Sequence, residues 1–409
     1  MPFKKILKFS LLSFLFLNIC PTLSHATNGY FASCVGAKNC GMGGAGVALV
    51  QDASSGAINP ALLARTDSQG TLTLGWFHPE RTMHARGPLS NPVDTKQSSR
   101  NQDFFIGSGA LNYKINSNWA IGVALWGNGG MATSYRFSRT NPAFHPAPAG
   151  GNYDKMMRYR LLNVTPTIAW KPSKRQAYGF STILGYSDFK SDIATLPTFA
   201  QTVGANELDR AFGIGFRIGG LWDLNERLTL GASVSSPVWF QKFDKYDDLF
   251  PDSMDTPPHF QVGFTSHLSN KTVLATDLKY IFWDQVNVIG ASAGLKGFAW
   301  ENTAVLMIGL QHQFNDNWTG RIGLNYGGSP IEDDKVFANA LSPAVIKQHY
   351  TLGGTYHLSD KTDLSFSGFF APEQSQTESG TGDAFSAGGV GTEVTMWQTG
   401  VRMGAEWKF

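Results

Sequence analysis

The sequence offers few residues with the chemistry of a reactive or metal-binding site. Two cysteines lie six positions apart, Cys34 and Cys40. In an oxidising compartment such a pair predicts a disulfide that closes a short loop. A metal site needs more ligands than two thiolates, and no partnering Cys or His lies nearby. We therefore treat Cys34 and Cys40 as a disulfide candidate and expect no metal.

Catalysis is not predicted from the histidines. Eight of them follow residue 26, but they are scattered along the chain. None of them forms the His-Glu-x-x-His spacing of a zinc protease helix. Neither an enzyme nor a cofactor is therefore expected.

A glycine cluster from Gly41 to Gly46 reads literally as Gly-x-Gly-x-x-Gly, the fingerprint of dinucleotide-binding folds. No predicted strand precedes it, and nicotinamide cofactors are not expected in an exported protein. Glycines and alanines also allow backbone to pack closely in a crowded space. Close packing of the backbone is the interpretation that we favour.

Candidate ligand-binding cations occur at the start of a predicted strand near Met156. A carboxylate needs a cation, ideally a guanidinium in a dry pocket, and Arg158 and Arg160 share one face there. Lys347 is a further candidate. The apolar pattern of this strand changes phase after Leu161, which predicts a bulge.

Other arginines lie on the small-residue faces of predicted strands, namely Arg217, Arg321 and Arg402. Because these faces are expected to line an interior, the arginines either meet a ligand or pair with acids. Glu406 and Asp52 are the acids that we expect to be their partners.

Most of the chain after residue 70 alternates apolar residues with small or polar ones at a period of two, which predicts strands. Fourteen strand starts are predicted, and short turns alternate with long loops between them. That pattern is typical of a bacterial outer-membrane barrel. We expect a multi-pass barrel in the outer membrane that is a monomer, with a C-terminal strand ending in Phe409 for recognition by the assembly machinery. A secreted β-sandwich is the alternative fold.

The composition agrees with this prediction. Only 16% of the 409 residues are charged, against about 25% in soluble domains. The net charge of +2 provides no basic stripe for nucleic acid. Residues 1–26 read as a signal peptide, with Lys4, Lys5 and Lys8 ahead of an apolar run and small residues before a cleavage site after Ala26. Membrane lipid and lipopolysaccharide are the expected surroundings.

The segment from 27 to 69 lacks strand alternation and is rich in small residues, so it is suited to fill the lumen of a barrel formed by 70–409. Several of its motifs resemble the N-terminal hatch of the FadL/TodX family of outer-membrane transporters: Thr27-Asn28-Gly29-Tyr30, the glycine cluster, Gln51-Asp52-Ala53 and Asn59-Pro60-Ala61-Leu62. The resemblance continues through Trp126 to Tyr135, Asn163 to Trp170 and the terminal Phe409. The cysteine pair is not part of the family pattern.

The resemblance implies a 14-stranded antiparallel transmembrane β-barrel plugged by an N-terminal hatch. It also implies passive uptake of long-chain fatty acids or other hydrophobic compounds, which loops capture, a lumen pocket receives and a gap in the wall releases laterally. Hatch residues expected to take part in gating are Gly43, Gly44, Gly46, Asn59, Pro60 and Ala61. A kink beside the lateral opening is expected at Gly127, Gly129 and Gly130, with an ordinary loop start as the alternative.

Apolar loop residues are the candidates for ligand capture. Phe144, Leu249 and Phe250 lie in predicted extracellular loops, where exposed apolar patches mark binding sites. The alternative is that these loops pack on one another. At the level of function, a barrel serving mainly as an adhesin or surface antigen, or as a non-specific porin, is the alternative to uptake.

Overall fold

In the computed structural model the described residues are 28–88, 95–136, 154–192, 203–250, 252–291 and 297–409. The predicted signal peptide at 1–26 and the capture candidate Phe144 lie outside these ranges.

Fourteen long strands and two short ones make up the sheet of the described chain. In chain order they are β1 Gln69–Ala85, β2 Thr95–Ser98, β3 Phe104–Lys114, β4 Trp119–Arg136, β5 Asp154–Ser173, β6 Gln176–Ser191, β7 Asp209–Asp223, β8 Leu228–Ser235, β9 Trp239–Phe240, β10 His259–His267, β11 Thr272–Ile281, β12 Thr303–Gln313, β13 Trp318–Gly327, β14 Gln348–Ser359, β15 Thr362–Thr377 and β16 Glu393–Lys408. The short strands β2 and β9 pair only at the margins of β1 and β7.

The long strands form a closed antiparallel barrel. Each pairs with its neighbours in sequence, and β16 pairs with β1 from Gln69 opposite Lys408 to His84 opposite Glu393. Closure satisfies the backbone groups of both edge strands, which is what a sheet needs in order to cross lipid. The predicted 14-stranded barrel is therefore confirmed.

The two faces of the wall differ as the alternation predicts. On β7, Phe212, Ile214 and Ile218 are exposed, whereas Arg217 on the opposite face is buried. Apolar side chains that point outward from a barrel meet the acyl chains of the membrane. The outward residues of the wall therefore form a lipid-facing band.

The interior is polar towards the short turns and apolar towards the long loops. On β5 the inward side chains change from Thr167 and Asn163 to Leu161 and Tyr159, all of them buried. The alternation of β5 itself is continuous, and its pairing with β6 keeps one register from Met157 to Trp170. The bulge predicted in this strand is thus wrong: the apparent change of phase reflects the change in interior polarity.

The helices are short. The α-helices are Gly36–Gly41, Asn287–Gly290 and Ala384–Gly388, and the 3-10 helices are Ala53–Ala57, Pro60–Ala64, Asp244–Tyr246 and Trp283–Gln285. Among the described residues, none of these is long and apolar enough to span a membrane.

Candidate functional site

Residues 28–68, which we call the hatch segment, precede β1 and contact the inner face of the wall on several sides. The helix Gly36–Gly41 lies against β14, β15 and β16, whereas the 3-10 helix Pro60–Ala64 lies against β5, β6 and β7. Most of its residues are buried. The hatch segment therefore packs against inner faces of the wall on more than one side of the barrel.

Asn59 fixes one end of the hatch segment to the wall. Its Nδ2 donates to the carbonyl oxygens of Val47, at 2.8 Å, and Gly220, at 3.1 Å. Its Oδ1 accepts from the backbone N–H of Ala61 at 3.0 Å, which caps the following 3-10 helix. Asn59 is fully buried, so each of these groups depends on it.

Pro60 and Ala61 lie against a glycine in the wall. A Cβ placed on Gly179 would overlap the backbone of Pro60 and Ala61. The Asn-Pro-Ala motif therefore works as a docking element: the asparagine makes the hydrogen bonds, and a wall residue without a side chain admits the backbone.

The glycine cluster docks on the opposite part of the wall. Gly43 has a φ of +69°, and a Cβ there would lie 2.7 Å from the carbonyl oxygen of Leu324. The N–H groups of Gly46 and Val47 both donate to one Oδ2 of Asp277 on β11, at 2.7 and 2.8 Å. Because a wall carboxylate occupies these amides, the cluster is a packing element, as the favoured interpretation had it.

Cys34 and Cys40 form a disulfide that links the residues before the helix Gly36–Gly41 to its last turn, with Cα atoms 5.0 Å apart. Nη1 of Arg402 lies 2.8 Å from one sulfur and 2.7 Å from the other. Next to it, Lys38 donates to Asp363 at 2.6 Å and lies 3.6 Å from Glu406. This end of the hatch segment is thus held by charge as well as by packing.

Glu406 and Asp52, the acids predicted as partners of the inward arginines, both attract Arg321 electrostatically, but among the described residues neither forms a direct ion pair with Arg217, Arg321 or Arg402. Arg321 donates to Gln311 and Thr355, and Arg217 donates to Ser235 at 2.6 Å. Glu406 lies near Lys38 of the hatch segment instead. Composition of a strand face predicts that a side chain is inward, but its partner depends on the hatch segment and the register.

A bulge interrupts the wall beside the tip of the hatch segment. The register between β4 and β5 shifts at Gly127 and Gly129, with Asn128 as the extra residue. Hatch backbone fills the gap: Ala32 N–H donates to the Asn128 carbonyl at 2.8 Å, and Gly130 N–H donates to the Tyr30 carbonyl at 2.9 Å. A Cβ on Gly129 would overlap that same Tyr30 oxygen.

The side chains of this tip enter a cluster of aromatic rings. Tyr30 lies 5.6 Å from Tyr159, 4.9 Å from Trp283 and 5.7 Å from Trp300, measured between ring centroids. Phe31 lies 5.2 Å from Trp283. We call Tyr159, Trp283 and Trp300 the aromatic chamber, which Tyr30 and Phe31 occupy.

The chamber excludes water from its polar groups. Tyr30 is fully buried, and burial raises the pKa of its hydroxyl well above 10. That hydroxyl donates to the carbonyl of Asp255 at 3.3 Å. Burial also raises the pKa of the Asp255 carboxyl above its ordinary value. A ligand here would meet a dry, largely aromatic surface.

Cationic groups lie on one side of the chamber. Nζ of Lys279 lies 4.9 Å from the centre of the Phe31 ring, and His259 packs against the same ring at 5.4 Å. Lys279 and Arg217 carry like charges and are close enough to repel each other. Among the ion pairs of the described residues, neither Lys279 nor Arg217 has a carboxylate partner. These side chains could receive an anionic head group.

The long loops cover the end of the aromatic chamber that lies furthest from the short turns. Trp300 donates through Nε1 to Asn339 at 2.7 Å, and Asn339 donates to the carbonyl of Phe298 at 2.8 Å. Thr133 on β4 donates to the carbonyl of Leu341 at 2.6 Å. The buried run from 336 to 346 therefore forms a cap over the barrel interior.

The predicted ligand-binding cations lie elsewhere. Arg158 and Arg160 share the outward face of β5 with Ile168 and Trp170, and Arg160 binds both carboxylate oxygens of Asp188. Lys347 is exposed in the loop before β14. A head group inside the lumen would therefore not reach Arg158 or Arg160, which corrects that expectation.

The described capture candidates are not exposed apolar patches. Phe250 is buried and packs on Phe189 and Phe298, with ring centroids 5.1 and 6.2 Å away, and Leu249 packs against the same cluster. The alternative that these loops pack together describes their arrangement here.

Comparison with known proteins identifies relatives of the whole chain. The sequence model described as "Outer membrane protein transport protein (OMPP1/FadL/TodX)" matches residues 19–409. No curated protein matches the sequence significantly. Among solved structures, the Pseudomonas putida toluene transporter TodX superposes with a TM-score of 0.70 at 15% identity, covering 92% of this chain and 99% of TodX.

Two further solved structures have the same fold. A Pseudomonas aeruginosa FadL homologue gives a TM-score of 0.67 at 15% identity, covering 93% of this chain and 100% of its own. The Ralstonia pickettii toluene transporter TbuX gives 0.64 at 17% identity, covering 92% of this chain and 99% of its own. At these identities the likeness concerns the fold.

Proposed function

This chain belongs to the outer membrane protein transport family OMPP1/FadL/TodX, and from that premise we propose that it takes up long-chain fatty acids or other hydrophobic compounds. The family consists of transporters rather than enzymes, and its closed barrel is a multi-pass outer-membrane structure. TodX and TbuX are toluene transporters by name, so aromatic hydrocarbons join fatty acids among the proposed substrates.

The observation that carries the proposal is the aromatic chamber filled by Tyr30 and Phe31 of the hatch segment. These two side chains occupy the space that a hydrophobic ligand would take. A C16 chain gains about 10 kcal/mol on leaving water, at about 0.8 kcal/mol per methylene. A ligand with that driving force can compete with the two rings for the chamber.

The route that we propose ends at the bulge of β4. Withdrawal of Tyr30 to Ala32 would free the Asn128 carbonyl and the Gly130 N–H, which now pair with hatch backbone. An unpaired bulge beside the chamber would leave a lateral exit into the membrane. Loops would capture the ligand, the chamber would receive it and movement of the hatch segment would open the exit, without ATP or a cofactor.

Uptake by cells tests this function. Cells that lack other hydrophobic uptake channels are supplied with labelled oleate or toluene, with and without the protein. We expect uptake of at least one of them to depend on the protein, while small sugars do not enter. Sugar diffusion at porin rates would favour the non-specific porin, and an absence of hydrophobic uptake would favour the adhesin or surface antigen.

We predict that Lys279→Met selectively weakens the binding of ligands with a carboxylate. Removal of this cation should reduce affinity for oleate about tenfold, since a charge-assisted hydrogen bond to the head group is lost. Affinity for oleyl alcohol should stay unchanged, because the chain and the chamber are the same. Tryptophan fluorescence titration of the purified protein measures both affinities through Trp283 and Trp300.

Lys271→Met is the matched control, since Lys271 lies in the exposed short turn before β11. It should leave both affinities unchanged. An equal loss for oleate and oleyl alcohol in Lys279→Met would mean that the lysine shapes the chamber and does not bind the head group.

A further inference from the structure

We propose that the outer wall at β5, β6 and β7 binds the phosphates of lipopolysaccharide. Four cations point outward there: Arg158 and Arg160 on β5, Lys190 on β6 and Arg210 on β7. The strand register brings them together, because Arg158 pairs with Lys190 and Arg160 with Asp188, which in turn pairs with Arg210. We call these four residues the outer cationic patch.

The outer cationic patch keeps an excess of positive charge. Asp188 is its carboxylate; both of its oxygens accept from Nε of Arg160, at 2.9 and 3.0 Å, and it lies 3.6 Å from Nε of Arg158. The side chains of the patch therefore comprise four cations, and one carboxylate contacts them. The Arg158 side chain is 27% exposed, and its Nε has no hydrogen-bond partner among the described residues, so this guanidinium is not saturated by Asp188.

The position of the outer cationic patch along the barrel axis indicates which molecule binds it. The next outward residues towards the short turns are Leu162, Tyr186 and Phe212, and the exposed Leu184 and Ile214 of the lipid-facing band follow them. The patch thus lies where the acyl region ends on the long-loop side, the side that faces outward in barrels of this kind. In an outer leaflet of lipopolysaccharide, the phosphates of lipid A occupy that level.

Charge complementarity singles out this sector. At the same end of the barrel, the outward residues of β1 and β16 include Glu80 and Glu393. Arginine forms bidentate hydrogen bonds with phosphate oxygens, and such pairs are strong where solvent is partly excluded. A bisphosphorylated glycolipid would therefore be favoured at β5–β7 and disfavoured at the acidic sector. This inference does not depend on which compound the barrel transports.

Binding of lipid A by the purified, delipidated protein tests the proposal. Native mass spectrometry compares bisphosphorylated lipid A with phosphate-free lipid A and phosphatidylglycerol. The test variant combines Arg158→Gln, Lys190→Gln and Arg210→Gln, and it keeps the pair of Arg160 with Asp188. We expect about tenfold weaker binding of bisphosphorylated lipid A, because cations near a membrane surface each contribute to attraction of anionic lipid.

The matched control combines Lys174→Gln, Arg175→Gln and Arg227→Gln, which remove three exposed cations from short turns at the other end. It should bind lipid A like the wild type. Wild-type affinity in the test variant would overturn the proposal, as would equal binding of phosphate-free lipid A or of phosphatidylglycerol. Far-UV circular dichroism shows whether both variants retain the barrel, and hydrophobic uptake should continue in both.

Discussion

Replacing Asn59 by alanine is expected to detach one end of the hatch segment and to lower uptake of hydrophobic compounds about tenfold. Among the described residues, Asn59 is the sole side-chain partner of the Val47 and Gly220 carbonyls and of the Ala61 N–H. Alanine would leave these groups buried without it, at a cost of about 1–3 kcal/mol for each unsatisfied group. This loss of free energy should prevent the hatch segment from docking against β6 and β7.

Two measurements test the expected effect of Asn59→Ala. Ion conductance in planar bilayers should rise, because a loosened hatch segment no longer packs against the inner faces of the wall. Uptake of labelled hydrophobic compounds should fall, because Tyr30 and Phe31 lose their fixed position at the aromatic chamber. Asn317→Ala, in an exposed short turn, should change neither. Wild-type conductance and uptake in Asn59→Ala would show that the docking at β7 has no part in gating.

The wall was largely predictable from the sequence because its rules are local. Strands begin at Trp119, Gln176 and Thr272, where turn residues rich in Asn, Ser and Lys end and alternation begins. The Asn-Pro-Ala motif was visible through the family resemblance, and its role as the cap of a 3-10 helix emerged from the structure. These features depend on neighbours within a few residues.

The direction of side chains near the long-loop end was not predictable in the same way. The prediction treated apolar residues as outward, which holds for Ile168 and Trp170 but fails for Tyr159 and Leu161. In that half of the barrel the interior is apolar, and the outward face carries Arg158 and Arg160. The sequence of one strand does not say what the loops and the hatch segment place inside it.

The aromatic chamber is the clearest case of a site assembled at long range. Trp283 and Trp300 come from one irregular connection between β11 and β12, Tyr159 comes from β5, and Tyr30 comes from the hatch segment. No periodicity links them. The signal that could have drawn attention to the loop is its pair of tryptophans, which are costly to leave exposed.

Gly129→Ala is expected to have the other large effect, a loss of about tenfold in hydrophobic uptake, because the hatch tip would lose its place in the bulge. The added methyl group would overlap the Tyr30 carbonyl, which now accepts from Gly130 N–H. The wall at β4 cannot yield easily, since β4 and β5 pair on both sides of the bulge. Tyr30 and Phe31 would therefore leave the chamber.

The matched control is Gly107→Ala on β3, where the nearest atom to a new Cβ is Cδ2 of Leu74 at 3.8 Å. Both variants change glycine to alanine in a wall strand, so a shared loss of uptake would reflect barrel stability and contradict a specific role of the bulge.

The affinity for ligand separates two roles of the hatch tip. If Tyr30 and Phe31 compete with ligand, Gly129→Ala should bind oleyl alcohol more tightly while transporting less, because entry becomes easier and release is no longer coupled to withdrawal of the tip. Weaker binding together with less transport would instead make the two rings part of the ligand site.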